Sequence, residues 1–270
     1  MKVSPLVFVG IAPHPPVMLP EVGGAQAEKV RASVEAMRDL SERVKSAGAE
    51  TVVLISPHAP LERDAFVFYD ATRLRGDFAN FRAPQAIVEA PLDAQLLAAV
   101  REAAAAERYD LVSLGARGLD HGTAVPLYFL LRNGWSGRVV ALGYSFLPDD
   151  DHVRFGLCVR RAVESLGRPV AFVASGDLSH RLIPKAPAGY HPQAQRFDEE
   201  VVEAVRRNSP RSILHIDRGL RRLAGECGYR SMLVAIGACD EAATDCEVIH
   251  YEAPFGVGYL VAQLSRSDLN

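Results

Sequence analysis

Apolar residues along this chain fall mostly in unbroken runs rather than in strict alternation. The runs predict strands at Leu6–Ala12, Thr51–Ser56, Phe66–Tyr69, Asp110–Leu114, Arg138–Gly143, Pro169–Ala174, Glu247–Tyr251 and Gly256–Ala262. A strand apolar on both faces must be covered on both faces, which implies helices above and below a sheet. Between the runs lie stretches of helical periodicity: Ala25–Ala47, Asp93–Glu107, Ala124–Arg132, Asp150–Leu166, Gln193–Arg207 and Tyr229–Asp240. In the first, Val30, Val34, Met37, Leu40 and Val44 form an apolar stripe, and Gly48 supplies a stop. The acidic run Asp149-Asp150-Asp151 suits a helix N-terminus, where the macrodipole favours negative charge. Strand and helix in alternation predict an α/β fold: one central, mixed, mostly parallel sheet flanked by helices on both faces. The mixed character comes from the last two strands, which Glu252-Ala253-Pro254-Phe255 is short enough to join as a hairpin.

No repeat or low-complexity linker divides the 270 residues, so a single domain over 1–270 is expected. The charge balance of 30 basic against 33 acidic residues shows no basic stripe, which argues against nucleic acid as a partner. Apolar runs such as Ala124–Leu131 are far shorter than the ~20 residues of a membrane span. The apolar segment Pro5–Ala12 runs into Pro13-His14-Pro15-Pro16, a poor cleavage site, and reads as a buried first strand rather than a signal sequence. Four cysteines, Cys158, Cys227, Cys239 and Cys246, make no C-x-x-C pair, so a reducing, cytoplasmic setting is expected.

The eight histidines carry most of the chemical information. His14, His58, His121 and His180 each follow shortly after the carboxyl end of a predicted strand, where open α/β sheets bind their ligands. Taken singly, each suits a satisfied loop histidine; together they could converge if their strands are parallel neighbours. His152, His191, His215 and His250 lie in helical, loop or late-strand contexts and read as structural or exposed. Pro13-His14-Pro15-Pro16 and Pro57-His58-Ala59-Pro60 share one device, since proline fixes φ and holds its neighbour extended. An imidazole on so stiff a backbone suits a metal ion. Two histidines need a third ligand, and if it is a carboxylate the set is that of non-haem iron(II) with open positions.

Ala224-Gly225-Glu226-Cys227-Gly228-Tyr229 is the place to look for it. Neighbours on a helical backbone point about 100° apart, so Glu226 and Cys227 do not both reach one ion. The bland alternative is a solvated Glu226 beside a buried, inert Cys227. Asp177 orients a histidine or caps its turn, and Leu220-Arg221-Arg222-Leu223 reads as a solvated helix face. A serine hydrolase built on Ser175 or Ser179 lacks the G-x-S-x-G elbow.

Pro13-His14-Pro15-Pro16, Ser56-Pro57-His58, Leu119-Asp120-His121-Gly122-Thr123, Ser175-Gly176-Asp177-Leu178-Ser179-His180 and Gly225-Glu226-Cys227-Gly228 occur in this order over nearly the whole chain. The ordered set resembles the LigB-type superfamily, the catalytic-subunit fold of class III extradiol ring-cleavage dioxygenases, which also includes the Memo proteins. Tyr251 to Tyr259 resembles the branch found beside Memo-type and radical-SAM partners in prokaryotes. The resemblance implies Fe(II), or another divalent metal, held by His14, His58 and Glu226. It implies His180 as catalytic acid/base, His121 as a second catalytic histidine near the substrate, and a catechol- or aminophenol-type aromatic consumed with O2. It also implies a homodimer or a Memo- or radical-SAM-linked partner. A Cys227 facing the cavity would point instead to a Memo-like metal-binding protein without ring cleavage.

Overall fold

The computed structural model describes residues 4–240 and 244–266, and within them the apolar runs become the strands of one sheet. The strands are β1 (Leu6–Ala12), β2 (Thr51–Ser56), β3 (Phe66–Phe68), β4 (Arg73–Phe78), β5 (Ala83–Pro91), β6 (Leu111–Ser113), β7 (Arg138–Gly143), β8 (Val170–Ser175), β9 (Thr244–Glu252) and β10 (Tyr259–Arg266). The helices are α1 (Pro20–Gly23), α2 (Arg31–Ser46), α3 (Ala94–Ala106), α4 (His121–Arg132), α5 (Asp149–Leu166), α6 (Ala194–Arg206), α7 (Arg218–Ala224) and α8 (Tyr229–Ala238). The expected domain over 1–270 also takes in residues 1–3, 241–243 and 267–270, which lie outside the described residues. No helix among the described residues is long and apolar enough to cross a membrane.

Among the described residues eight strands form one sheet in the order β6-β3-β7-β2-β8-β1-β10-β9. The central four, β7, β2, β8 and β1, are parallel. The flanks are not: β10 runs against β1, β9 against β10, and β3 against β7. β1, β2 and β8 are buried at every position, because α2 and α4 cover one face and α3, α5 and α8 the other. The sheet is therefore mixed, mostly parallel and helix-covered on both faces. β1 and β2 each pair with β8, which brings three carboxyl ends together at one edge.

Three departures from the pattern have physical causes. The segment Gly24–Val30, expected as the first turns of a long helix, is a 3-10 stretch. It buries only Val30, so no apolar face holds it in α geometry. The β4–β5 hairpin was not expected from apolar runs. In β4 only Leu74, Gly76 and Phe78 point inward between Arg73, Arg75 and Asp77, a period of two with little apolar density. Helix α4 begins at His121 rather than Ala124 because the Asp120 carboxylate accepts the Thr123 N–H at 3.1 Å as its N-cap.

Candidate metal centre

His14 lies two residues beyond β1 and His58 two beyond β2, one on each side of β8. The His14 N–H donates to Asp177 Oδ1 at 3.1 Å, so Asp177 does orient this histidine. The His58 N–H donates to Ser56 Oγ at 3.1 Å. These anchors set the two rings nearly perpendicular, at 89°, with their Nε2 atoms 3.0 Å apart.

Ser175, the last residue of β8, decides the tautomer of His14. Its hydroxyl donates to the Gly122 carbonyl at 2.5 Å, and a hydroxyl has only one proton. Its lone pair must then accept from His14 Nδ1–H at 2.9 Å. With the proton on Nδ1, the Nε2 lone pair faces His58 Nε2 and, at 3.8 Å, Cys227 Sγ. A ligand histidine is held by its second nitrogen in just this way.

His121 reaches the cluster by a route the sequence pattern did not foretell. β6 is parallel to β3, and β3 runs against β7, so β6 points away from the edge that carries His14 and His58. The chain returns through residues 114–120 and presents His121 on the first turn of α4. Asp120 locks that return: it accepts from Tyr69 Oη and Thr123 Oγ1, each at 2.9 Å, and from Ser56 Oγ. His121 stacks on His58 at 4.2 Å between centroids, and Phe81 meets it edge-on at 5.3 Å. The ligand atoms of His14, His58 and His121 all lie within 4.8 Å of one another.

Burial lowers the pKa of all these imidazoles. His14 falls well below the usual histidine range through burial, with the rings of His58, His121 and His180 adding to it. His58 is pushed down to about 4 by burial and by His121, against Asp120. His121 is lowered by burial as well, again against Asp120. Neutral imidazoles are what a metal ion binds.

Glu226 and Cys227 part company. Glu226 Oε2 accepts the Tyr229 N–H at 2.7 Å, so the carboxylate caps α8; neither Glu226 nor Cys227 belongs to the group of converging ligand atoms, which is His14, His58 and His121. The carboxylate expected as third ligand is therefore not among the converging donor atoms, one of its oxygens being spent on the helix cap. Cys227 faces them. Its place is set by a backbone crossing in which a Cβ on Gly176 would land on Gly228 Cα. The Gly228 N–H donates to the Asp177 carbonyl at 3.0 Å, tying the two glycine loops together.

His180 is half-buried, its N–H donating to the Ala224 carbonyl at 3.0 Å. The backbone of Leu178 and Gly225 lies against its ring. Burial, more than the neighbouring imidazoles, lowers its pKa. Ser179 Oγ donates to the Ala194 carbonyl at 2.8 Å, so neither Ser175 nor Ser179 has the arrangement of a nucleophile. Tyr69 and Phe81 are the site residues that sequence reasoning missed, and the only signal was their place beside the weakly patterned hairpin.

The donor set fits a divalent ion. Three buried or half-buried neutral imidazoles, those of His14, His58 and His121, would hold it, and Cys227 Sγ stands 3.8 Å from His14 Nε2 and 3.7 Å from the Asp177 carbonyl, with burial pushing its thiol pKa up.

The loop carrying His180 rests on a buried carboxylate. Asp198 accepts the Ser179 N–H at 2.9 Å and Tyr251 Oη at 2.7 Å, and burial pushes its pKa up to about 6. An unfolded aspartate titrates near 3.9, so between about pH 4 and 6 the folded chain binds more protons and stability falls as pH rises. Asp198→Asn is expected to remove roughly 2–3 kcal/mol of that fall. Urea midpoints across the window read it, and an unchanged slope would refute the assignment.

Residues 9–262 match the family model described as the catalytic LigB subunit of aromatic ring-opening dioxygenase. The chain belongs to the LigB family. A protein of Clostridium acetobutylicum is 32% identical over 263 residues, covering 94% of this chain and 56% of its own length. A 3,4-dihydroxyphenylacetate 2,3-dioxygenase of Escherichia coli is 24% identical over 204 residues, 71% of this chain and 72% of that protein. A MEMO1 family protein of Methanococcoides burtonii is 29% identical over 155 residues, 51% of this chain and 55% of that protein. This LigB chain thus spans about half the length of the first and third of these relatives. The crystal structure of an uncharacterized protein from Escherichia coli K12 superposes with a TM-score of 0.66 at 18% identity. It covers 96% of this chain and all of that one, which establishes a shared fold.

Proposed function

We propose that this LigB-family chain is a Memo-like metal-binding protein, in which His14, His58 and Cys227 grip one divalent ion with His121 at its side. The observation that carries the reading is the parting of Glu226 from Cys227: the thiol faces His14 Nε2 while the carboxylate caps α8. A nitrogen and sulfur set suits Zn(II) or Cu(I) as well as Fe(II). A cytoplasmic setting fits the four free cysteines.

Titration of the full chain with Zn(II) and, anaerobically, with Fe(II) tests the ligand set. Cys227→Ala is expected to weaken binding at least tenfold, and Glu226→Gln, which keeps the cap, by less than about twofold. The reverse order would restore Glu226 as the third ligand.

A second reading, extradiol ring cleavage, is favoured by His180, a half-buried imidazole near enough to His14 and His58 to influence their titration. When bound, Fe(II) would supply the electronic link between an aromatic diol and O2. His180, kept neutral by burial, would take a proton from a substrate hydroxyl and later return it. Phe81 and His121 would wall the ring in, and Asp198 would hold the His180 loop in place. Oxygen uptake by the Fe(II)-loaded chain over a catechol and aminophenol panel decides between the readings. In the second, His180→Ala slows turnover roughly 10²–10⁴-fold with the metal retained; in the first, no substrate drives uptake.

A further inference from the structure

The other side of the Glu226-Cys227 turn holds a second feature, which the metal centre does not use. A cleft of about 580 Å³ opens between the loop 146–149, the helix α7 and the start of α8. Arg218, Arg221, Arg222 and Arg230 line it, against only two carboxylates, Asp149 and Glu226. One of these is already engaged, since Arg221 Nη2 donates to Asp149 Oδ2 at 2.7 Å while its guanidinium lies over the Tyr229 ring at 3.9 Å. The other spends one oxygen on the cap of α8. Arg218, Arg222 and Arg230 form no ion pair among the described residues, and the Nε groups of Arg221 and Arg230 are buried without an acceptor.

Four guanidinium groups around one concavity repel one another, and buried donors without acceptors cost free energy. The expectation that this stretch is merely a solvated helix face does not account for them, because the Arg221 side chain is only 10% exposed. One wall is apolar: Phe146, 54% exposed, stands beside Arg230, whose Cζ is 5.5 Å from the ring centroid. An aromatic side chain left open next to unpaired guanidinium groups suits a ligand that carries both an anion and a flat apolar body.

We propose that this cleft binds an oxyanion, a carboxylate or a phosphate group, whose apolar body packs on Phe146, at a site separate from the histidine cluster. Arg230 and Arg218 supply forked donors, Arg221 is held as a fixed wall by Asp149 and Tyr229, and Glu226 is the internal competitor. Cys227 is joined to that competitor by one peptide bond. An anion that displaces the Glu226 carboxylate therefore pulls on the turn that aims the thiol at His14.

Calorimetric titration of the full chain in chelator, with benzoate, inorganic phosphate and neutral benzyl alcohol as probes, tests the proposal without any metal. Saturable millimolar or tighter binding of benzoate or phosphate, with none of the alcohol, is the expected result. Benzoate alone assigns a carboxylate, and phosphate alone a phosphate. Arg230→Met should weaken the binding at least about tenfold, and exposed Arg218→Met serves if the first variant fails to fold. Glu226→Gln should tighten it severalfold, while His58→Ala leaves it unchanged. Failure of both anions to saturate overturns the proposal, as does binding that is indifferent to both arginine variants or lost with His58→Ala. Neither result bears on whether the histidines hold a metal.

Discussion

Gly176→Ala is expected to destabilise the chain by about 3 kcal/mol or more and to abolish high-affinity metal binding at the same time. At most core positions an added methyl is absorbed by rotamer changes in its neighbours, at a cost of roughly 1–3 kcal/mol. Here nothing can rotate away, because the methyl would meet Gly228 Cα, which is backbone. The reciprocal change meets the same wall: a Cβ on Gly228 would be 2.9 Å from Gly176 Cα and 3.0 Å from the Asp177 carbonyl oxygen. To make room, the turn carrying Cys227 must separate from the loop carrying Asp177 and His180. The Gly228 N–H to Asp177 carbonyl bond breaks, and the thiol retreats from His14. Because each variant breaks one shared contact, the double variant should cost less than the sum of the singles. Gly118→Ala is the control, since its nearest neighbour would be 3.8 Å away, and it should change urea stability by less than about 0.5 kcal/mol. A Gly176→Ala protein with wild-type stability would mean the two loops do not touch in solution.

The same crossing shows where the sequence was informative and where it was not. The central strands were legible because burial on both faces leaves an unbroken apolar run, as in Val52-Val53-Leu54-Ile55. The placement of His14 and His58 followed from that, since both ride on the carboxyl ends of strands that pair with β8. The sequence was silent where a side chain's place depends on a hydrogen bond rather than on a period. Glu226 and Cys227 are adjacent, and it is the demand of the α8 N-terminus for an acceptor that engages the Glu226 carboxylate. His121 illustrates the complementary case: its strand-end context was misleading because β6 runs the other way, yet the ring arrives through the Asp120 network. Hydrogen bonds to a carboxylate across 51 residues leave no periodic trace in a sequence.

Ser175 carries a related lesson. A serine close to a histidine in sequence reads as a possible nucleophile, but its role depends on where its single proton goes. The Gly122 carbonyl takes it, from a position where no side chain fits: a Cβ there would run into Ser56 Oγ and come within 2.9 Å of Asp120 Oδ1. The same glycine lets Ser56, Asp120 and His58 approach one another.

His14→Ala is expected to lower affinity for Zn(II) or Fe(II) at least a hundredfold, the largest effect of any change to a donor side chain. The His14 donor atom lies 3.0 Å from His58 Nε2 and 3.8 Å from Cys227 Sγ, so removing it takes away the group that touches both. Its ring is also the most buried of the three, 2% exposed, and water cannot replace it without opening the sheet edge. Ser175→Ala should reproduce part of the loss, about 10–100-fold, because Nδ1 then loses the acceptor that keeps its proton away from Nε2. Ser175→Thr, which retains the hydroxyl, should recover most of that affinity if the extra methyl is accommodated. His14→Ala also strips Ser175 Oγ of a donor, at a cost of roughly 1–3 kcal/mol, so urea unfolding of the metal-free variants must accompany the titrations. The ordering of affinities, wild type above Ser175→Ala above His14→Ala with all three folded, is what a metal held through Nε2 requires. Equal affinity for wild type and His14→Ala, with the metal still bound, would remove the centre from this edge of the sheet.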